Sequence, residues 1–197
     1  MSTIIQWQSF RLTEADRAKI KDQQPLCLWM TGLSGAGKST LANALEEKLN
    51  ALGKHTYILD GDNLRHGLNQ DLGYSVEARN ENVRRVAEVA RLMVDAGLIV
   101  IVGLISPHKA ERDHARSLFA KNQFKEIYLS TSLQHCEKRD VKGLYQKARA
   151  GKLKEFTGID SPYEAPEAPE MELNTEYLTV TERVEVILKA ILWSNRP

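Results

Sequence analysis

Gly32-Leu33-Ser34-Gly35-Ala36-Gly37-Lys38-Ser39 follows an apolar run, Leu26–Thr31, and opens an amphipathic one, Lys38–Leu52. This GxxxxGK[ST] pattern constrains the chain more than any other stretch. Its glycines let the backbone curl until successive N–H groups converge on one point, and the helix that follows adds its positive end. Lys38 then reaches the outer phosphates of a nucleoside triphosphate, and the Ser39 hydroxyl can ligate Mg²⁺. Such a turn needs a strand before it and a helix after it, so the expected class is α/β.

The remaining sequence keeps that alternation. Further strands are predicted at His55–Leu59, which closes on Asp60, at Leu98–Ile105, at Glu126–Thr131 and, more weakly, near Met171–Asn174. Leu98–Ile105 is almost wholly Leu, Ile and Val, as expected of a central strand covered on both faces. Helices are predicted at Lys38–Leu52, Asn80–Asp95, Lys109–Ala120 and Leu133–Arg139, and from Thr181 towards Trp193. Residues 141–170 fit neither period and hold Pro162, Pro166 and Pro169; a loop of that length in a compact domain is expected to act as a lid. Residues 1–24 are expected to form a polar N-terminal extension with a short helix at Thr13–Lys21, leaving 25–197 as the main domain.

Composition narrows the partners. A chain of 197 residues suits one domain of roughly 100–200 residues. With 27 Lys+Arg against 26 Asp+Glu, the net charge of +1 excludes bulk electrostatic binding to nucleic acid or an anionic membrane. Any anion must be held by a local cluster. Cys27 and Cys136 are too far apart in sequence to suggest a zinc site or a disulfide framework. Cys27 and Trp29 are expected in the core, as is Trp193. The longest apolar stretch is far too short to span a bilayer, and no secretion leader is expected. A cytoplasmic enzyme or binding protein is expected.

A guanine-reading NKxD sequence is absent, which disfavours a GTPase, and the central strand runs into Ser106-Pro107 where an aspartate is usual. The acidic pair falls instead at Asp60-Gly61-Asp62. Two readings fit it: carboxylates serving a metal shell and a substrate hydroxyl, or a turn in which Asp62 caps a helix starting at Asn63. Downstream lie Arg65, Tyr74, Arg79 and Asn82. Guanidinium groups suit phosphate or sulfate, and Tyr74 can stack on a base. Arg84, Arg85 and Arg91 read better as a solvated helix face, and the histidines as surface or helix residues, with His66 within reach of a phosphate.

Several strings carry a resemblance. Leu59-Asp60-Gly61-Asp62-Asn63-Leu64-Arg65-His66-Gly67-Leu68-Asn69, Asp71-Leu72-Gly73-Tyr74-Ser75 and Arg79-Asn80-Glu81-Asn82-Val83-Arg84-Arg85 resemble the adenylylsulfate (APS) kinases. So do Ile105-Ser106-Pro107, Arg139-Asp140-Val141-Lys142-Gly143-Leu144-Tyr145 and the run from Phe156 to Glu164. The similarity covers nearly the whole chain. It implies a P-loop kinase fold: a parallel sheet of about five strands flanked by helices, with a lid at about 141–170. It further implies transfer of a phosphoryl group from ATP to the ribose 3′-hydroxyl of adenosine 5′-phosphosulfate, with Mg²⁺.

By the same resemblance ATP is held by Gly32, Leu33, Ser34, Gly35, Ala36, Gly37, Lys38, Ser39, Thr40 and Arg139, and the metal by Ser39 and Asp60. The acceptor is held by Asp62, Asn63, Arg65, Tyr74, Arg79, Asn82, Ile105, Ser106, Lys142 and Phe156, with Tyr74 and Phe156 stacking on its adenine. Lys38, Asp62 and Ser106 are the catalytic candidates. Ser106 is implied either as a phosphoserine intermediate or as a positioning group beside direct transfer with Asp62 as base; direct transfer is the favoured expectation. Tyr74 stands where phenylalanine is commoner, and Val141 where many relatives have proline. A homodimer is expected. Relatives fused to an ATP sulfurylase exist, and a chain of this length is expected to carry the kinase alone. The rival readings are a nucleoside monophosphate or small-metabolite kinase, and a nucleotide-binding module without activity.

Overall fold

Alternation along Leu26–Thr31 sets the layers. In the computed structural model, which describes residues 5–192, this segment is β1 of a five-stranded parallel sheet. The other strands are β2 (Thr56–Asp60), β3 (Ile99–Gly103), β4 (Phe124–Tyr128) and β5 (Met171–Glu172), in the spatial order β2-β3-β1-β4-β5. The helices are α1 (Glu14–Ile20), α2 (Lys38–Ala51), α3 (Gly61–Leu64), α4 (Val76–Asp95), α5 (Lys109–Ser117), α6 (Leu133–Arg139), α7 (Leu144–Arg149) and α8 (Val180–Leu192).

Successive strand residues face opposite sides, and all six of β1 are buried. Leu26, Leu28 and Met30 join Leu41, Leu45 and Leu49 of α2 and Val184, Ile187 and Ile191 of α8 in one apolar cluster. Cys27 and Trp29 face the other way, onto Val83, Val86, Ala87 and Ala90 of α4. Each fully buried Leu, Ile or Val contributes roughly 1.5–3 kcal/mol, so a strand buried on both faces holds two helical layers at once. The architecture is α/β/α, a P-loop kinase fold.

Several boundaries differ from expectation. β4 starts two residues earlier than the sequence predicts, because Phe124 and Lys125 pair with Cys27 and Leu28. The strand also ends earlier, at Tyr128. Helix α4 begins at Val76, where the Ser75 hydroxyl accepts from the Ala78 amide. Residues 141–170 are not featureless, since α7 forms inside them. Trp193 lies outside the described residues. The expected helix near the N-terminus is present as α1, with Thr13 and Asp16 forming a reciprocal capping box. It is tied to the end of α4 by Arg17–Asp95 at 3.1 Å, and Gln23 beyond it bonds the carbonyls of His55 and Gly97, just ahead of β2 and β3. Among the described residues no helix is long and apolar enough to cross a membrane.

Candidate active site

Because all five strands run parallel, Thr31, Asp60, Gly103 and Tyr128 end along one edge of the sheet, where ligands bind in such folds. Gly32 turns the chain there with φ at +146°. A Cβ on it would lie 2.8 Å from the Leu129 carbonyl oxygen, so no larger residue fits. At the far end of the loop Gly37 caps α2 with no side chain, leaving the first-turn amides open to an anion. Lys38 folds back across the loop and donates to the carbonyls of Gly32 and Leu33, both at 2.8 Å. Burial brings its pKa down to about 8, against the nearby carboxylates Asp60 and Asp62, which favour its charge.

Ser39 donates its hydroxyl to Asp60 Oδ2 at 2.6 Å. The other carboxylate oxygen of Asp60 accepts from the amides of Asp62 and Asn63. Asp60, not Asp62, therefore caps the short helix α3, which corrects the turn reading of the acidic pair. A cap must precede the helix it serves, and α3 starts at Gly61 rather than at Asn63. Freed from that duty, the exposed Asp62 carboxylate pairs with Lys142 from the start of the lid segment. Arg139 lies against the phosphate loop, donating to Thr175 Oγ1 at 3.1 Å and to the Gly35 carbonyl at 3.4 Å.

The remaining candidates divide between the edge of the sheet and the segment across from it. Arg79 donates to the Glu155 carbonyl and, at 3.5 Å, to Thr157 Oγ1, which sets it beside Phe156. Phe156 is buried edge-on against Tyr145. Tyr74 is 64% exposed, and the Arg65 guanidinium covers its ring at 4.6 Å while bonding the carbonyls of Leu72 and Gly73. Asn82 is buried and accepts from Asn69 Nδ2 at 3.0 Å. Thr31 donates to the Ile105 carbonyl, and the Trp29 indole donates to Ser106 Oγ. Asn63 and Thr40 stand exposed at the starts of α3 and α2.

A model of the adenylylsulphate kinase family matches residues 24–174. This chain belongs to that family. An adenylyl-sulfate kinase of Vibrio cholerae is 56% identical over 94% of this chain and 86% of its own. The Mycobacterium tuberculosis APS kinase CysC, solved in complex with AMPPNP and APS, is 46% identical with a TM-score of 0.82, over 86% of this chain and 98% of that one. The bifunctional enzyme NodQ of a Rhizobium species is 57% identical over 93% of this chain, which spans only 28% of NodQ. The chain is thus similar both to stand-alone kinases and to a part of a longer enzyme.

Within this family member, the cations read as a helix face are indeed engaged on the surface. Arg84 and Arg85 bond Glu81, Arg85 also bonds Asp71, and Arg91 bonds Glu88. Sequence reasoning missed four residues that organise the kinase site. Asn69 orients the Asn82 amide, Thr175 anchors Arg139, Trp29 holds the Ser106 hydroxyl, and Arg112 bonds the Ser106 carbonyl. Asn69 lay inside a motif already singled out, and its buried amide is the kind of polar group that needs a partner. The others carry no local signal, since their partners sit 36 to 77 residues away, or are a backbone carbonyl.

Proposed function

We propose that this kinase transfers the γ-phosphoryl group of ATP to the ribose 3′-hydroxyl of adenosine 5′-phosphosulfate, giving 3′-phosphoadenylyl sulfate and ADP. One observation carries the reading: Asp60 bonds Ser39 and caps α3, so Asp62, two residues on, takes no part in the cap and meets only the exposed Lys142 beside the phosphate loop. In the mechanism Asp62 takes the proton of the 3′-hydroxyl as its oxygen bonds to the γ-phosphorus. The bond from that phosphorus to the β-phosphate oxygen breaks, and ADP leaves. Lys38 gives up the Gly32 and Leu33 carbonyls for the phosphates, a switch that needs only a change of side-chain rotamer.

Ser39 and Asp60 form an all-oxygen pair suited to Mg²⁺, which is commonly held by one or two protein groups with phosphate and water completing its shell. Bound there, Mg²⁺ would neutralise charge on the transferring phosphate. Arg139 would hold the ATP side. Asn63, Arg65, Arg79, Asn82, Ile105, Ser106 and Lys142 would hold the acceptor, with Tyr74 and Phe156 on its base. Acceptor binding then requires Arg65 to leave the Tyr74 ring and Lys142 to leave Asp62, so the acceptor replaces contacts that the protein makes with itself.

The site residues and the domain division are part of this proposal, and so are a homodimer and a cytoplasmic location. Ile5, Trp7, Phe10 and Leu12 stand 68–86% exposed on the N-terminal extension, apolar surface that a second copy would cover. Both cysteines are free and buried, in keeping with a reducing compartment. The deciding experiment is ADP release with adenosine 5′-phosphosulfate or AMP as acceptor. Strong preference for the phosphosulfate is expected, and preference for AMP overturns the reaction. Light scattering on the purified chain tests the dimer.

A further inference from the structure

Behind Ile105 and Ser106 lies a guanidinium that the reaction as written does not use. Arg112, on α5, is 3% exposed and divides its donors among three segments. Nε bonds Glu126 Oε1 on β4 at 2.8 Å, Nη1 the Ser106 carbonyl at 2.8 Å, and Nη2 the Glu164 carbonyl at 2.7 Å. Its plane also approaches the Tyr163 ring, at 6.0 Å. The Tyr163 hydroxyl bonds Thr31 Oγ1 at 2.9 Å, and Thr31 donates to the Ile105 carbonyl at 2.6 Å. The circuit closes through Thr31, Ile105, Ser106, Arg112, Glu164 and Tyr163. It joins the strand that carries the phosphate loop, the edge that carries Ser106, and the foot of the lid.

Two features show what the circuit holds. Ser106 has φ at +38°, a left-handed conformation that a non-glycine residue keeps only where its surroundings fix it. The lid foot is fastened to the same turn by the Glu164 amide, which bonds the Pro107 carbonyl at 2.8 Å, and by the Lys109 amide, which bonds Glu164 Oε2 at 2.6 Å. The buried charge is balanced: Glu126 faces Arg112 and Arg116, and Arg116 also pairs with Glu170 at 2.6 Å.

We propose that Arg112 is a positioning residue for phosphoryl transfer. Without touching substrate, it fixes the backbone at Ser106 and docks the lid foot to it, so that lid closure and acceptor geometry change together. This rests on the reading of Ile105 and Ser106 as acceptor contacts.

The test compares Arg112→Lys, Arg112→Met and Glu170→Gln in the full chain. Lysine keeps the charge near Glu126, but one ammonium cannot reproduce the fork that serves both carbonyls. The acceptor KM of Arg112→Lys is expected to rise about tenfold while the ATP KM stays within about twofold. Arg112→Met is expected to rise further and to hydrolyse ATP without acceptor. Glu170→Gln weakens the same ion cluster at its outer end and leaves both carbonyls bonded, so its acceptor KM is expected to be unchanged.

Equal shifts in both KM values for Arg112→Lys and Glu170→Gln, or an unchanged acceptor KM in Arg112→Lys, would overturn the assignment. Hydrogen exchange at the Glu164 amide reads the clamp with no substrate present. It should quicken in Arg112→Lys and not in Glu170→Gln; no change in either overturns the clamp. Wild-type protein separates the two levels: if it shows no phosphosulfate-dependent ADP release, the proposed reaction fails, whereas the exchange result stands by itself.

Discussion

The indole N–H of Trp29 donates to Ser106 Oγ at 3.1 Å, with Trp29 fully buried and Ser106 2% exposed. The hydroxyl is thus engaged with a core tryptophan and shielded from a phosphoryl donor in this conformation. Replacing Ser106 by Ala should leave the indole N–H unsatisfied at a cost of about 1–3 kcal/mol, lowering Tm by roughly 2–10 °C. Turnover of the folded variant should remain within about tenfold of wild type, since direct transfer needs no covalent intermediate. Thermal melts and coupled ADP release check both; abolished turnover in a folded Ser106→Ala protein would restore the phosphoserine route.

The pKa of Lys38, brought down to about 8 chiefly by burial, lies below the ordinary lysine value. Between the two the unfolded chain holds the extra proton, so this group makes the nucleotide-free protein more stable as pH rises above about 8. ATP binding has the opposite sign, because phosphate needs the ammonium. Affinity for ATP should weaken above about pH 8, approaching tenfold per pH unit. Titration calorimetry from neutral to alkaline pH checks this, and the always-charged Lys38→Arg should flatten the profile while lowering kcat.

Asp62 and Lys142 pair across exposed surface, with side chains 64% and 57% accessible. Such a pair contributes little to stability. Asp62→Asn should shift Tm by no more than about 2 °C. As the loss of a general base it should cut kcat by about 10²–10⁴-fold with ATP binding retained. Unchanged kcat would remove Asp62 from the base role.

Gly32 and Gly158 both have positive φ but differ in what surrounds them. A Cβ on Gly32 meets backbone, the Leu129 carbonyl, whose own amide is bonded to Thr31. A Cβ on Gly158 meets the methyls of Leu33 and Leu133 at 3.1 and 3.2 Å, which can give way. Gly32→Ala should cost roughly 3 kcal/mol or more and abolish ATP binding. Gly158→Ala should cost about 1–2 kcal/mol and raise acceptor-independent ATP hydrolysis, because it lifts the lid from the phosphate loop. Denaturant melts and nucleotide titrations on both variants check the contrast.

How far the sequence was legible depends on where each residue finds its partner. The bounds of β1 and α6 follow from their own residues, a continuous apolar run for one and the Ser132 cap for the other. α4 starts four residues ahead of the predicted start because Val76 faces outward there and breaks the apolar period; the Ser75 cap was the usable signal. α7 buries only Tyr145 and Ala148, too few positions to reveal a helical period. At the site, the phosphate loop and Asp60 could be read because their chemistry is local. The capping role could not be divided between Asp60 and Asp62 by spacing, since it turns on where α3 begins. Arg112 was illegible for a stronger reason: two of its partners are carbonyls, and every residue has one.

The place of β1 between β3 and β4 has a consequence for synthesis. The phosphate-loop sequence leaves the ribosome before the strands that flank it, so the strand that supports it gains its neighbours only when Ile99–Gly103 and Phe124–Tyr128 have emerged. Pairings that distant in sequence carry a loop-closure cost that must be met before they stabilise anything. A nascent chain ending before Tyr128 therefore holds the full phosphate-loop motif without the framework to shape it. Cellular ATP can stabilise the fold only after Tyr128 has emerged.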